Sequence, residues 1–154
     1  MPDGWRIVKA KYASQAFDGE GARVNGGRWN TPGTPMVYTA ENASLALLEV
    51  LVHLQKGSLL TSYVLCAVHF KDSFVKTLDH SKLPKDWPRY PPPPELQKIG
   101  DDWARSGSSL VLKVPSSITK TESNYLINPL HPDCAKITID SPKPFEFDLR
   151  RLKL

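Results

Sequence analysis

The residue that most strongly suggests chemistry is Glu49, a single carboxylate in an apolar segment. It is the only acidic side chain in residues 42–55, and its neighbours are Leu48 and Val50. A carboxylate among apolar residues is costly unless it is paired or hydrogen-bonded, and proteins accept that cost mainly at working sites. The alternative is a helix-surface pair with His53, four residues further along the chain. Both interpretations remain open from these residues alone.

A second candidate is Arg28, which follows the two glycines of the segment Gly-Gly-Arg-Trp-Asn at 26–30. Two glycines permit a tight turn, and a guanidinium offers a rigid fork of donors that suits phosphate oxygens. The alternative is a loop arginine paired with a nearby carboxylate. The glycine spacing matches neither a P-loop nor a dinucleotide-binding fingerprint.

Four further polar residues could contact a ligand, and each also has a structural explanation. Tyr38 could be a core aromatic with its hydroxyl bonded to backbone. Arg6 could be an edge-strand residue with its head in water. Ser116 follows a strand and a proline, where serine is usually a turn or cap residue. Asn128 begins an ordered-looking turn with prolines at 129 and 132.

The elements that must position these side chains can be read from the sequence pattern. Residues 42–55 form the clearest helix, with Asn42 as N-cap and Gly57 as its stop, and the apolar residues around it predict burial on most sides. The other predicted elements are strands at 5–10, 36–40, 61–70, 109–114, 125–128, 136–139 and 144–147, a helix at 95–105, a glycine-rich loop at 18–35 and a proline-rich excursion at 83–94. The predominance of strands predicts an α+β domain on a mixed or antiparallel sheet.

Composition narrows the class of protein. A chain of 154 residues predicts a single domain spanning 1–154, with 40% hydrophobic and 23% charged residues, as in soluble globular proteins. The net charge of +4 is spread along the chain, without a basic run that would indicate nucleic-acid binding. Cys66 and Cys134 lack metal or disulfide spacing, and the histidines add none, so we expect no metal. Without an apolar signal or spanning segment, we expect a soluble cytoplasmic protein.

Taken together, these pieces resemble the RES-domain family in their order and spacing from about residue 5 to residue 150. The matching segments lie at 5–8, 17–23, 26–30, 37–40, 44–53, 100–103, 114–116, 124–132 and 145–150. Each piece alone is unspecific, but their joint order is highly specific. The proline-rich stretch near residue 90 is the least family-like part.

The resemblance implies a fold, an activity and a partner. The family is named for an Arg, a Glu and a Ser, which correspond here to Arg28, Glu49 and Ser116. The resemblance implies that the chain is the toxin of a type II toxin–antitoxin system and cleaves the nicotinamide–ribose bond of NAD⁺. It also implies a fold similar to that of ADP-ribosyltransferase toxins. NAD⁺ would be the substrate, without a separate cofactor. The partner would be an Xre-type helix-turn-helix antitoxin, with DNA contacted only through the antitoxin and no membrane. The chain would form a homodimer or a toxin–antitoxin hetero-oligomer.

Under this hypothesis Glu49, Arg28 and Tyr38 are catalytic, with Glu49 at the ribose and Tyr38 beside it. Arg6 would join Arg28 at the pyrophosphate, while Ser116 and Asn128 would bind the nicotinamide end. Three alternatives remain open. They are transfer of ADP-ribose to a protein or to phosphate, a basic nucleic-acid-binding or ribonuclease toxin, and an interaction protein without activity.

Overall fold

The fold is built around one mixed sheet whose strands come from most of the chain. The computed structural model describes residues 1–54 and 62–146. Its strands are β1 Asp3–Lys9, β2 Val37–Ala40, β3 Tyr63–His69, β4 Val75–Thr77, β5 Val111–Pro115, β6 Ser123–Ile127, β7 Thr138–Ile139 and β8 Lys143–Phe145. They follow the order β4-β5-β6-β2-β1-β3-β7, and β8 also pairs with β3. Only β4 and β5 pair in parallel, so the predicted α+β class with a mixed sheet is confirmed.

Three α-helices accompany the sheet in the described part of the chain. They are α1 Glu20–Asn25, α2 Ala43–His53 and α3 Pro94–Ser106. The predicted loop at 18–35 was therefore wrong over α1, a short helix bounded by Gly19 and Gly26 at positive φ. The sequence pattern also missed β4, which has three residues and pairs through backbone bonds with β5.

Helix α2 carries Glu49, and its start is set by the predicted cap. Asn42 Oδ1 accepts a hydrogen bond from Leu45 N at 2.7 Å, which satisfies one of the free amides of the first turn. The predicted stop at Gly57 lies outside the described residues, as do the predicted strand ends at 61 and 147.

The prediction that α2 is buried on most sides was wrong. Only Leu45 and Ala46 are fully buried, whereas Leu48 is 42% and Val52 is 62% exposed. The apolar residues do surround the helix, but it lies on the sheet through one face only. Counting apolar residues cannot distinguish a helix packed on one side from a helix packed on all sides.

The core packs in three groups that fix the helices to the sheet. Helix α3 contributes Leu96 and Trp103 to one cluster, and α2 contributes Leu45 and Ala46 to another. Cys66 is fully buried, and both cysteines are free. Within residues 1–54 and 62–146, no helix is long and apolar enough to cross a membrane, and no group of His, Cys, Asp or Glu is arranged to hold a metal.

Candidate functional site

A cleft of about 460 Å³ lies where α2 meets β1 and β2. Its lining includes Arg6, Tyr38 and Glu49, three of the six residues singled out in the sequence, together with His53. The volume falls within the roughly 300–1,000 Å³ of small-molecule and cofactor pockets. The fold therefore brings the predicted carboxylate, an arginine and an aromatic ring to one concave site.

Glu49 is half-buried and is held by the sheet rather than by its own helix. Asn124 Nδ2 donates to Glu49 Oε1 at 2.6 Å. This bond replaces the helix-surface pair with His53 that the sequence had left open. Burial raises the pKa of Glu49, and the hydrogen bond from Asn124 opposes that rise. Of the two carboxylate oxygens, only Oε1 receives a hydrogen bond from the described residues, so Oε2 can accept one from a ligand.

Arg6 is not the edge-strand residue that one interpretation of the sequence had suggested. Strand β1 lies inside the sheet, paired along its length with β3 but with β2 only at Trp5 and Ala40. Beside that single pair, Arg6 Nη1 donates to Tyr38 O at 2.9 Å. Its Nε is buried without a hydrogen-bond partner among the described residues, and burial lowers the pKa of Arg6. Arg6 thus places a buried cation beneath the cleft.

The hydroxyl of Tyr38 is occupied by the loop that carries Arg28. It donates to Asn30 Oδ1 at 2.6 Å and accepts from Trp29 N at 2.9 Å. Gly27 must lack a side chain here, because a Cβ would come within 2.7 Å of the same hydroxyl. Burial raises the pKa of Tyr38. The Tyr38 hydroxyl therefore stays protonated and does not act as a base. The side chain lines the cleft and fixes the loop.

Arg28 is not among the residues that line the cleft; it lies near the lining residue Tyr38 and is held by the proline-rich stretch. Its Nη1 donates to Trp87 O at 3.0 Å and to Arg89 O at 3.1 Å. Partial burial lowers the pKa of Arg28, an effect that the neighbouring Tyr38 and Tyr90 oppose. The Tyr90 ring in turn lies 6.2 Å from the ring of His53, in the cleft lining. Within the described residues no acceptor is bound to Nη2 or Nε, so this edge of the guanidinium is available to an anion.

Helix α3 fixes the same loop from the other side. Asp101 accepts from Thr31 N at 3.0 Å and from Thr31 Oγ1 at 2.6 Å. Gln97 Nε2 donates to Gly27 O at 3.0 Å. A Cβ on Gly100 would lie 1.7 Å from Trp29 O, so only glycine permits this contact. The position of Arg28 thus depends on α3 as well as on its own turn.

The structure does not bring Ser116 and Asn128 into the cleft. Ser116 is 1% exposed, and its Oγ accepts from Ile118 N and Thr119 N in a turn after β5. Asn128 is 4% exposed, donates to Ala104 O and accepts from Leu130 N. These contacts match the structural explanations that the sequence had left open. The predicted contact of either residue with the nicotinamide end has no geometric support.

Sequence reasoning missed Asn124 as a site residue. It lies 75 positions from Glu49 along the chain, and only the pairing of β2 with β6 brings the two together. A polar side chain next to the apolar run Tyr-Leu-Ile at 125–127 was the one available signal. A second concavity, of about 590 Å³, is lined in part by Phe17, Asp18 and Cys66, and its lining contains no arginine.

Comparisons with known proteins identify the family to which the chain belongs. The family model described as "RES domain" matches residues 4–148. A relative named "Toxin Res" from Yersinia enterocolitica is 39% identical over 147 residues, covering 95% of this chain and 97% of the relative. A relative from Sphingobium, named "Prs ADP-ribosylating toxin", is 34% identical and covers 97% of this chain and 96% of its own length.

One solved structure shares the fold. A chain in the crystal structure of the M. tuberculosis MbcT–MbcA toxin–antitoxin complex superposes with a TM-score of 0.77 at 21% identity, covering 94% of this chain and 84% of that chain. The expected likeness to ADP-ribosylating toxins is confirmed by the Sphingobium relative. With the family model spanning nearly all of the sequence and close relatives along its full length, this chain belongs to the RES domain family.

Proposed function

We propose that this chain is the toxin of a toxin–antitoxin pair and that it cleaves the bond between nicotinamide and ribose in NAD⁺. The observation that carries the proposal is the half-buried carboxylate of Glu49, with one oxygen left to a ligand, in a cleft that Arg6 also lines and with Arg28 near the lining residue Tyr38. A positively charged sugar intermediate and a diphosphate are the two features of NAD⁺ chemistry that such a pair would recognise.

Binding would begin at Arg28. Arg28 would donate through Nη2 and Nε to the diphosphate, since Nη1 is already committed to Trp87 O and Arg89 O. Arg6 would add positive charge beneath the cleft without a new contact through Nη1, which is bound to Tyr38 O. The ring of Tyr38 would border the ribose next to nicotinamide. Anchoring the diphosphate places the scissile bond against Glu49.

In the reaction, the bond between C1′ and the nicotinamide nitrogen breaks, and its electron pair neutralises the pyridinium ring. The ribose becomes oxocarbenium-like, as in glycoside cleavage. Glu49 would accept a hydrogen bond from a ribose hydroxyl through Oε2 and stabilise the developing positive charge. Water then adds to C1′ and loses a proton, which yields ADP-ribose. NAD⁺ itself supplies the charged leaving group, so no residue needs to protonate nicotinamide.

A second function is favoured by the name of the Sphingobium relative, which describes an ADP-ribosylating toxin. Cleavage at Glu49 would be the same, but a protein nucleophile or phosphate would replace water at C1′. The nucleic-acid alternative is supported only by the sequence pI of about 9.1, with its net charge of +4, and by the aromatic residues.

The partner is proposed from relatives. Relatives are named toxins, and the solved neighbour is part of a toxin–antitoxin complex. We propose an antitoxin partner, of the Xre type that the family resemblance implies, in a hetero-oligomer. A toxin that consumes NAD⁺ must be held inactive in its host, so we expect the antitoxin to limit access to the cleft.

The test uses purified protein and NAD⁺ labelled in the adenylate half. Free ADP-ribose with stoichiometric nicotinamide supports hydrolysis, while label on protein, or a product that requires phosphate, supports transfer. NAD⁺ that remains intact in water alone, with acceptor protein and with phosphate would contradict the proposal. Measuring RNA and DNA binding at low and high salt in parallel tests the nucleic-acid alternative, which predicts strongly salt-dependent binding.

A further inference from the structure

Asn124 joins the carboxylate of Glu49 to the sheet. Its Nδ2 donates to Glu49 Oε1 at 2.6 Å and to Thr39 O at 3.2 Å. Both partners are acceptors, so the amide must present its nitrogen to them. Strand β6 supplies Asn124, β2 supplies the carbonyl of Thr39, and α2 supplies Glu49. One amide therefore ties together the three elements around the carboxylate.

This arrangement decides which oxygen of Glu49 can meet a ligand. A glutamate side chain has several freely rotating bonds, and fixing it costs conformational entropy. The short hydrogen bond from Asn124 to Oε1 already fixes the Glu49 side chain before any ligand binds, so this entropy is not lost on binding. Oε2 then remains as the acceptor in a defined position. A preset acceptor is what stabilisation of a developing charge requires, since no reorganisation is needed during the reaction.

The same hydrogen bond from Asn124 stabilises the charged form of Glu49. Burial raises the pKa of Glu49, and the amide of Asn124 is the group that lowers it again. The remaining ionisable side chains of the cleft lining are Arg6, Lys9, Tyr12, Tyr38, His53 and Tyr63. None of these is a cause of the shift at Glu49, so the effect of Asn124 can be isolated experimentally.

We infer that Asn124 is a positioning residue, which favours the charged form of Glu49 and turns its side chain so that Oε2 is presented to the ribose of the bound substrate. The expected effect of Asn124 on turnover rests on the proposed NAD⁺ cleavage. Its expected effect on the Glu49 carboxylate does not. Asn124 acts through Glu49 and need not touch the reacting atoms.

The experiment compares Asn124→Ala and Asn124→Asp with the wild-type full-length chain. Asn124→Asp keeps the size of the side chain but removes the donor. Asn42→Ala is the matched control, since it removes the cap of the helix that carries Glu49 and leaves the Asn124 bond in place. Two readouts are taken. One is the pH profile of kcat for nicotinamide release, and the other is the ¹³C NMR titration of the Glu49 carboxyl, assigned by its loss in Glu49→Gln.

In Asn124→Ala we expect the Glu49 midpoint and the acidic limb of kcat to move upward together by about one pH unit, the scale of one hydrogen bond to a charged group. Asn124→Asp should move the midpoint further, because two adjacent carboxyls disfavour double ionisation. Asn42→Ala should lower the melting temperature but leave the midpoint unchanged.

The outcomes separate this inference from the proposed function. A Glu49 midpoint that does not move in either Asn124 variant overturns the inference, whatever the activity. A midpoint that moves in a protein without NAD⁺ cleavage supports the positioning of Glu49 and contradicts the proposed reaction. If Asn42→Ala shifts the midpoint as far as Asn124→Ala does, general loosening of α2 explains the effect and the inference fails.

Discussion

Replacing Glu49 with glutamine should lower activity and raise stability at the same time. The change preserves the size of the side chain and keeps an oxygen that can accept from Asn124, but it removes the negative charge. Loss of one transition-state contact of this kind costs about 100-fold in turnover. We therefore expect nicotinamide release by Glu49→Gln to fall at least about 100-fold.

The gain in stability follows from the direction of the pKa shift. Burial raises the pKa of Glu49 in the folded state above its value in the unfolded chain. Such a carboxyl costs stability as the pH rises from the unfolded pKa through the folded pKa, and the cost persists above it. Glutamine avoids this cost, which we put at about 1 kcal/mol, the scale of a single stabilising substitution. For a domain of this size that corresponds to a melting temperature higher by roughly 2–4 °C.

The assay is nicotinamide release combined with thermal unfolding at pH 4 and pH 7.5. The difference in melting temperature between Glu49→Gln and wild type should be larger at pH 7.5. The control is Glu41→Gln, in which the altered carboxylate accepts from Ser123 N at 2.8 Å and serves the fold. Glu41→Gln should not gain stability and should retain turnover. A Glu49→Gln protein that is fully active, or inactive and less stable than wild type, would refute the reasoning.

Three further predictions follow from other contacts. Arg28→Ala should raise KM for NAD⁺ by roughly 10–100-fold, the scale of losing a charge-assisted contact, with a smaller change in kcat; an unchanged KM excludes Arg28 from diphosphate binding. Ser116→Ala should cost about 1 kcal/mol of unfolding free energy by removing a turn acceptor, with KM for NAD⁺ near wild type. A raised KM without loss of stability would instead support the contact with the nicotinamide end that the family resemblance implies. Hydrogen bonds from the His69 imidazole to the carboxylates of Asp3 and Asp140 raise the pKa of His69, so the stabilisation by protonated His69 is complete below the unfolded pKa near 6.5 and is lost as the pH rises through the folded pKa. Denaturant titrations should show that His69→Gln removes this decline, and an unaltered pH profile would contradict it.

The sequence was most informative where one residue broke a local pattern. Glu49 was recognisable because it is the one charge between apolar neighbours, and the cap at Asn42 because an amide precedes the helix. Both signals are local. The burial of a charge and the free amides at the start of a helix each cost free energy, which the fold must offset. The family resemblance added Arg28, whose loop glycines alone left its role open.

The features that sequence reasoning missed depend on contacts between distant segments. Asn124 meets Glu49 only through the pairing of β2 with β6. Arg28 is held by the carbonyls of Trp87 and Arg89, and any residue type could supply a carbonyl. The placement of Ser116 away from the cleft likewise depends on the turn that follows β5. Residue types do not encode such contacts, so only the fold reveals them.

The central claim is that the Glu49 cleft consumes NAD⁺, and the intracellular NAD⁺ pool tests it most directly. Wild-type chain and Glu49→Gln are expressed to equal levels in cells without an antitoxin, and NAD⁺ is measured before growth slows. We predict that the pool collapses with the wild-type chain and is maintained with Glu49→Gln. Growth arrest by the wild-type chain with an undiminished NAD⁺ pool would contradict it.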